Sequence, residues 1–330
     1  MTGLFARDAR EILDLEGQAL VAAVAEASRL RELRHGRSVN LCWIVNARSG
    51  ACDQDCAFCA QSSRSDARIS VYPLLEADEI VAAARKAAGS GAVRFSIVTS
   101  GGAMRRGRML DALLVAIDRI RNETGLDVCA SLGCAERGVL DDLKRAGLTR
   151  YHHNVETSES YWPRVCTTRP YCEQRRVVRD ALEAGLEVCC GGVFGMGESP
   201  DQRIELLDEV RSLDVDSIAI NFFTPIPETP FGGIAPPAPL DCLRIVVAAR
   251  MMMPRRDIRV CGGREANVRD LQAMLLLGGA SGLMIGGYLT TPGRSPKDDL
   301  AMIRDLGLVP DTIPEGRDTV SVPDPEGVDA

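Results

Sequence analysis

Short apolar runs alternate with amphipathic segments along most of the chain. Eight runs have the length and the apolar, β-branched content of strands, at residues 41–46, 94–100, 127–133, 150–156, 187–194, 217–224, 257–262 and 282–287. Between and after them the apolar residues recur with the period of a helix, at residues 77–88, 109–123, 136–146, 171–184, 200–213, 240–252, 267–277 and 296–306. Parallel strands need crossovers of this kind, so the alternation predicts a parallel sheet.

Eight strand–helix units are the number found in a closed (β/α)8 barrel of the TIM type. The fold class predicted is therefore α/β, with an open doubly wound sheet as the alternative. A helical pattern over residues 6–34 precedes the first unit. These patterns divide the chain into an N-terminal helical segment (1–39), a barrel (40–310) and a flexible C-terminal tail (311–330) that is rich in Pro, Asp and Glu.

Composition narrows the class of protein. The chain of 330 residues is 45% hydrophobic and 26% charged, which suits a globular domain with a large core. Its net charge of −7, without a basic block, argues against a nucleic-acid partner. No run of 18 uninterrupted apolar residues and no signal-peptide pattern occur, which predicts a cytoplasmic protein without a membrane partner.

Three cysteines follow the first predicted strand with the spacing C-x3-C-x2-C. These are Cys52, Cys56 and Cys59, with the aromatic Phe58 just before the third. Three thiolates on one loop can hold three irons of a cubane iron–sulfur cluster and leave the fourth iron open. The alternatives are a zinc site and buried free thiols. Structural zinc usually takes four ligands in two close pairs, and no second pair lies nearby.

Further thiols lie on later predicted strands. The twelve cysteines of the chain are expected to be metal ligands or free thiols rather than disulfides. Cys129, one of the adjacent Cys189 and Cys190, and Cys261 come from three strands, and Cys261 shares a face with Arg259. Their convergence predicts a second metal centre, although each alone could be a small buried hydrophobe. Four other thiols are interpreted as packing or surface residues, namely Cys42, Cys166, Cys172 and Cys242.

Several stretches between about residues 40 and 310 resemble those of a known family. They include Cys52-x3-Cys56-x2-Cys59-Ala60-Gln61-Ser62, His153-Asn154-x-Glu156-Thr157-Ser158, Thr167-Thr168-Arg169, Val188-Cys189-x-Gly191-Gly192, Arg250-x-Met252-Met253-Pro254 and Arg259-x3-Gly263-Arg264-Glu265. The cysteine spacing is that of the radical S-adenosylmethionine (SAM) superfamily. The last two stretches are similar to those of the biotin synthase family within it.

The resemblance implies a reaction and its cofactors. The activity would be insertion of one sulfur between two unactivated carbons of dethiobiotin. It would use a [4Fe–4S] cluster that binds SAM, and an auxiliary iron–sulfur cluster as the sulfur source. It also implies an electron donor such as flavodoxin or ferredoxin, and it allows a homodimer.

The resemblance further assigns residues to the two small molecules. Asn154 and Asn221 match family positions that hold the ureido ring of the substrate. Amide side chains suit that neutral donor–acceptor group. For SAM, the candidates are Gly101, Gly102, Glu156 and Arg175. Arg175 or its neighbour Arg176 is expected to replace an arginine that the family tends to place where this chain has Gln174.

One auxiliary-cluster position departs from the family. The resemblance implies a [2Fe–2S] cluster held by three cysteines and one arginine. Cys129, Cys189 and Arg259 match three of these positions, whereas the fourth is Ser96, a poor iron ligand. The hypothesis is a rearranged cluster, of either the [2Fe–2S] or a four-iron type. The candidate ligands are Cys129, Cys134, Cys189, Cys261 and Arg259.

Two other classes of function remain open at this point. The first is another radical SAM enzyme with the same barrel, of the hydrogenase-cofactor maturase or methylornithine synthase type. The match at Arg259 and at Gly263-Arg264-Glu265 argues against it. The second is an iron–sulfur carrier, which has no need of a full barrel or of an open iron site.

Overall fold

The N-terminal segment forms two helices. A computed structural model describes residues 3–62, 64–290 and 293–313 of the chain. Helix α1 spans Ala6–Ile12 and helix α2 spans Gly17–His35. The expectation of one helical segment over 6–34 misses the break between them, where Gly17 takes a φ of +50°. Only glycine adopts such a φ at little cost, so it allows the chain to turn before α2 begins.

Eight parallel strands form a closed barrel. They are β1 (Ser38–Arg48), β2 (Arg94–Thr99), β4 (Asp127–Ser131), β6 (Arg150–His152), β7 (Glu187–Phe194), β8 (Ser217–Phe222), β9 (Asp257–Val260) and β10 (Gly282–Met284). Each pairs in parallel with its neighbours, and β1 also pairs with β10, which closes the ring. The prediction of a (β/α)8 barrel is therefore confirmed, and the open doubly wound sheet is excluded.

Helices surround the barrel. They are α3 (Ala77–Gly89), α4 (Arg108–Thr124), α5 (Arg137–Arg145), α6 (Trp162–Val165), α7 (Tyr171–Glu183), α8 (Pro200–Ser212), α9 (Pro239–Met252), α10 (Arg264–Val268), α11 (Gln272–Leu277) and α12 (Pro296–Asp305). The single helix expected over 267–277 is instead α10, a 3-10 turn (Arg269–Leu271) and α11. Arg269 has a φ of +53°, which a continuous helix does not allow.

The region of β6 and β7 differs most from the predicted strands. The pattern predicts a strand over 150–156, but β6 ends at His152 and Glu156 has a φ of +66°. The Glu156 carbonyl accepts a hydrogen bond from Val193 N at 2.8 Å. A Cβ on Gly191 would lie 1.9 Å from the Ala219 carbonyl oxygen. Glycines in β7 therefore make room for the backbone of the protein itself.

Three short strands complete the structure. Strand β3 (Ala103–Met104) pairs with β5 (Cys134–Ala135) outside the barrel. Strand β11 (Val309–Pro310) pairs with the start of β1, and Asp311 N donates to Val39 O at 2.9 Å. The first residues of the predicted tail are thus attached to the barrel, and residues 314–330 lie outside the described residues.

The core fills the space between the strands and the helices that cover them. Arg31 of α2, only 3% exposed, donates to the carbonyls of Gly36, Ser38 and Ala280. These bonds connect the N-terminal segment to both strands at the barrel closure. Within the described residues, no helix is long and apolar enough to cross a bilayer.

Candidate active site

A cavity of about 340 Å³ lies inside the barrel, lined by residues of all eight barrel strands. Alternate residues of a strand face the same side, so the residues on the inner face of each strand form the wall of the cavity. Arg94 and Ser96 of β2 point into it, as do Arg150 and His152 of β6. The carboxyl ends of barrel strands are where catalytic residues of TIM-type enzymes lie.

The three-cysteine loop lies at the mouth of this cavity. Cys52, Cys56 and Cys59 are half-buried, and the ring of Phe58 reaches the cavity wall. Cys52 N donates to Gln61 O at 3.1 Å, and Cys59 N donates to Cys56 O at 3.0 Å, so the loop is a compact turn. Burial raises the pKa of the Cys59 thiol to about 11. A bound cation would reverse this shift, because coordination favours the thiolate.

The carboxylate of Asp55 connects the cysteine loop to a second loop by hydrogen bonds. Asp55 accepts hydrogen bonds from Thr167 N at 2.9 Å, from Thr168 N at 3.1 Å and from Thr168 Oγ1 at 2.9 Å. Burial raises the pKa of Asp55, but these hydrogen bonds more than offset it and hold the pKa well below its usual range. Ala57 N also donates to Val165 O at 2.8 Å. The loop is therefore anchored to residues 165–168.

A fourth thiol lies beside this loop. Cys166, interpreted from the sequence as a packing or surface residue, is buried next to Cys56. Their hydrogen bond raises the pKa of Cys56 and lowers that of Cys166 to about 6. Nothing in the spacing of the first three cysteines indicates this neighbour, which the chain places there from another loop.

Deeper in the barrel, the structure brings together most of the second set of thiols. Cys189 and Cys261 pack with Ala219, and Cys129 and Cys189 face each other across β6. His152, Arg150 and Arg259 lower the pKa of Cys189 to about 6, although burial raises it. Cys190 points away into the main core, as the strand period requires.

Two cysteines are not where the sequence hypothesis puts them. Cys134, in β5, packs in the main core beside Arg169 and does not line the cavity. Cys42, interpreted as a packing or surface thiol, lines the cavity instead, and the Arg259 guanidinium lies near it. Burial lowers the pKa of Arg259, but the thiols of Cys42, Cys189 and Cys261 raise it above its ordinary value.

The donor set in the barrel suits a bound group of negative charge. Arg259 is 4% exposed and its Nη1 has no hydrogen-bond partner, and the same is true of Arg150 Nη1. Buried cationic donors are costly when they are unpaired. Among the described residues, no three His, Cys, Asp or Glu side chains converge closely enough to hold one metal ion. A multi-iron cluster separates its thiolates more widely than a single ion does, so the thiols around Arg259 fit a cluster better than a zinc ion.

Asn154 and Glu156 form one side of the cavity. Asn154 Nδ2 donates to Glu156 Oε2 at 3.2 Å, whereas Asn154 Oδ1 is buried without a partner. Burial raises the pKa of Glu156, which lies near the thiols of Cys56 and Cys59. This side therefore offers a free amide acceptor next to a carboxyl group that faces the cysteine loop.

Asn221 also lines the cavity, but its amide is already engaged. Its Nδ2 donates to Gly192 O at 3.2 Å, and its Oδ1 accepts from Gly262 N at 3.0 Å. The two asparagines thus differ, since only Asn154 keeps a buried acceptor without a partner.

The glycine turn after β2 contacts the cysteine loop. Gly102 N donates to Asp53 Oδ1 at 2.9 Å, and a Cβ on Gly102 would lie 2.5 Å from that oxygen. Gly101 has a φ of +126°, which favours glycine. The turn is therefore close to the cluster loop, and its glycines are needed for this contact.

Arg175 and Arg176 do not reach the cavity. Arg175 Nε lies 2.8 Å from Glu209 Oε1, on the side of α7 that faces α8, and Arg176 pairs with Asp180. The arginine that reaches the glycine turn is Arg169. Its Nη2 donates to Gly102 O at 2.8 Å and its Nη1 donates to Gln174 Oε1 at 2.9 Å.

Sequence reasoning missed Cys42, Arg94, Arg150 and His152 as cavity residues. The two-residue period was a usable signal on β6, because Arg150 and His152 alternate along this strand. Cys42 had no such signal, since it becomes a neighbour of Arg259 only when β1 closes on β10.

Comparison with known families gives two adjoining matches. Residues 47–210 match the model of the Radical SAM superfamily, and residues 219–309 match the Biotin and Thiamin Synthesis associated domain. The chain is 50% identical over 301 residues to the biotin synthase of Geobacter sulfurreducens, covering 91% of this chain and 92% of that protein. It is 48% identical over 295 residues to the biotin synthase of Trichlorobacter lovleyi, covering 89% of each.

Solved structures share the fold at lower identity. Methylornithine synthase aligns with a TM-score of 0.82 at 20% identity, over 94% of this chain and 95% of that one. The FeFe-hydrogenase maturase of Carboxydothermus hydrogenoformans aligns with a TM-score of 0.78 at 17% identity, over 93% of this chain and 76% of that one. At these identities the similarity establishes the barrel alone.

Proposed function

Because the chain belongs to the biotin synthase family of radical SAM enzymes, we propose that its barrel cavity is where dethiobiotin is converted to biotin. The observation that carries this assignment is the position of the cavity. Phe58 of the cysteine loop reaches one wall, and thiols around Arg259 line another. A substrate between them would lie between a radical source and a sulfur source.

The family uses a [4Fe–4S] cluster, SAM and an auxiliary iron–sulfur cluster. When bound, they supply a one-electron cleavage of SAM and the sulfur for insertion. Cys52, Cys56 and Cys59 would hold the first cluster, and their half-buried thiols on one compact loop support this. The enclosing barrel keeps water from the reacting carbon, which a radical reaction requires.

Dethiobiotin would bind against Asn154 and Asn221. The free Oδ1 of Asn154 supports a direct hydrogen bond to a ureido N–H. Asn221 would act differently, because its amide already bonds to Gly192 and Gly262 and so positions the cavity wall.

SAM would lie beside the cysteine loop and the turn at Gly101 and Gly102. Glu156, near the thiols of Cys56 and Cys59, would accept from the SAM amino group. The cationic partner for the SAM carboxylate would be Arg169 rather than Arg175, since Arg169 reaches Gly102 and Arg175 pairs with Glu209. Gln174 keeps Arg169 in place through its Oε1.

The auxiliary cluster would be held in the barrel by thiols that include Cys129, Cys189 and Cys261, with the guanidinium of Arg259 beside them. Their common position on the cavity wall and the unpaired Arg259 Nη1 support this set. Cys134 packs in the main core, so its participation would require the loop after β4 to move.

The remaining assignments concern the whole protein. The division into residues 1–39, 40–310 and 311–330 is proposed as a helical segment, a catalytic barrel and a tail. An electron donor such as flavodoxin or ferredoxin would reduce the cluster, and a homodimer is compatible with the family. The many free thiols suit a reducing compartment such as the cytoplasm.

The test is an anaerobic assay of the cluster-loaded protein with SAM, dethiobiotin and a chemical reductant. We expect biotin to form, and 5′-deoxyadenosine formation to depend on dethiobiotin. The control is Cys56→Ala, which should lose both products. SAM cleavage that is indifferent to dethiobiotin and yields no biotin would contradict the proposal and favour another radical SAM reaction.

A further inference from the structure

Ser96 lies on the cavity wall at the position where the resemblance implies a cysteine ligand. Ser96 of β2 is buried and is paired with Cys129 of β4. Serine oxygen is a harder ligand than thiolate and a poor partner for iron in a cluster. A complete ligand set must therefore draw on other groups within reach of Cys129 and Cys189.

Cys42 lies on β1, the strand that pairs with the strand of Ser96. In β1, Ile44 is paired with Ser96, and Cys42, two residues earlier on the same face, is paired with Arg94. On its other side Cys42 is paired with Met284 of β10. Its side chain thus projects into the cavity from β1, two residues before Ile44, the residue that is paired with Ser96.

Cys261 approaches from the opposite side of β10. It follows β9, packs with Cys189 and Ala219, and has Met284 against it. Met284 is therefore a common neighbour of Cys42 and Cys261. Three thiols from strands, those of Cys42, Cys129 and Cys189, and the thiol of Cys261 just after β9 all line the cavity.

Arg259 provides an independent indication that a ligand belongs there. Its guanidinium lies near the Cys42 thiol, and its Nη2 donates to Asn40 Oδ1 at 2.6 Å. Its Nη1 has no partner, although the side chain is 4% exposed and lines the cavity. A buried cation with a free donor among thiols is stabilised by a group that carries negative charge.

We propose that Cys42 and Cys261 replace the ligand absent at position 96, so that Cys42, Cys129, Cys189 and Cys261 hold the auxiliary cluster as a four-thiolate set. This inference rests on the proposed function, because that function requires an auxiliary cluster in the barrel. Four thiolates can hold either a [2Fe–2S] or a four-iron cluster, and the four-iron form is the one proposed. Arg259 then donates a hydrogen bond to the cluster through Nη1 and does not bind iron.

The test compares iron content and Mössbauer spectra of anaerobically reconstituted proteins. For the unaltered protein we expect about eight irons per chain, about four in each cluster. Cys42→Ala and Cys261→Ala should each lose about half of the iron and the spectral component of the auxiliary cluster. The matched control is Cys190→Ala, a buried thiol of β7 that points away from the cavity and should leave both unchanged.

Cys42→Ser repeats the test with a side chain of nearly the same volume, should the alanine variant fold poorly. Full iron content and an unaltered auxiliary spectrum in Cys42→Ser would overturn the proposal. Reductive SAM cleavage, which depends on Cys52, Cys56 and Cys59, should persist in these variants. If the unaltered protein itself does not cleave SAM, that result would count against the proposed function and not against this ligand set.

Discussion

At the scale of single residues, chemical type does not distinguish a binding side chain from a structural one. Asn154 and Asn221 both line the cavity, and both are amides at the end of a strand. Only Asn154 keeps an unpaired buried oxygen, whereas both ends of the Asn221 amide bond to backbone groups. The hydrogen-bond inventory therefore assigns them different roles.

This difference predicts distinct effects of truncation. Asn154→Ala should weaken dethiobiotin binding roughly fivefold, since one hydrogen bond is worth about 1 kcal/mol, and should leave the melting temperature unchanged. Asn221→Ala should lower the melting temperature as well, because it leaves Gly262 N and Gly192 O without partners. Isothermal titration and thermal unfolding measure the two effects. Equal melting temperatures for both variants would contradict the assignment.

A second residue-scale prediction concerns the arginines near the SAM site. Arg169→Gln should raise the dissociation constant of SAM at least tenfold, because a charge-assisted hydrogen bond contributes about 1.5–3 kcal/mol. Arg175→Gln should change it little, since Arg175 pairs with Glu209 on the far side of α7. Equilibrium binding to the cluster-loaded protein decides. A larger effect at Arg175 would restore the sequence-based expectation.

At the scale of elements, loops that are distant in sequence hold one another in place. The cysteine loop lies on the Gly101–Gly102 turn through Asp53, and on residues 165–168 through Asp55. None of these loops has regular secondary structure across the contact. Their shape therefore depends on side-chain acceptors that satisfy backbone N–H groups.

Removal of one such acceptor should loosen the cluster loop. Asp55→Ala removes the acceptor of Thr167 N, which is exposed, and of Thr168 N, which is partly buried, at a cost of about 0.5–1.5 kcal/mol for each hydrogen bond. We expect faster loss of the [4Fe–4S] cluster to a chelator, followed by its visible absorbance. Asp66→Ala, at an exposed carboxylate later in the same loop, is the control. Identical rates in the two variants would show that Asp55 does not fix the loop.

At the scale of the whole molecule, closure of the barrel depends on the N-terminal helices. Arg31 of α2 donates to carbonyls on both sides of the β1–β10 junction. The pairing of β1 with β10 in turn brings Cys42 next to Arg259. The N-terminal segment therefore supports the site although none of its residues lines the cavity.

Arg31→Met should consequently destabilise the molecule by several kcal/mol, because it removes the donor to the buried Ala280 carbonyl and to the partly buried Gly36 and Ser38 carbonyls while it keeps most of the packing volume. Arg29→Met in the same helix is the matched control. Arg29 pairs only with Glu26 at the surface, where such pairs contribute about 0–1 kcal/mol. Denaturant unfolding compares the two. A similar loss for both would show that burial of Arg31 adds nothing.

Local patterns in the sequence determined the elements and their order. The periods of two and 3.6 residues reflect which faces are buried, so eight strand–helix units predicted the barrel. The spacing of Cys52, Cys56 and Cys59 predicted the cluster loop because ligands on one short loop need no tertiary information. Local geometry did not reveal the break before Gly17 or the early end of β6, where tertiary backbone contacts such as Glu156 O with Val193 N decide.

Only the tertiary structure decided which side chains share the cavity. Cys42 and Cys261 are more than 200 residues apart in sequence, and closure of the barrel brings both to Arg259. Cys134 follows β4 closely, yet it pairs with β3 outside the barrel. Contacts between distant strands depend on register and closure, and neither is encoded in the local pattern of a single strand. The sequence by itself therefore determined which reactive side chains are present, and the fold decided which of them lie together in one cavity.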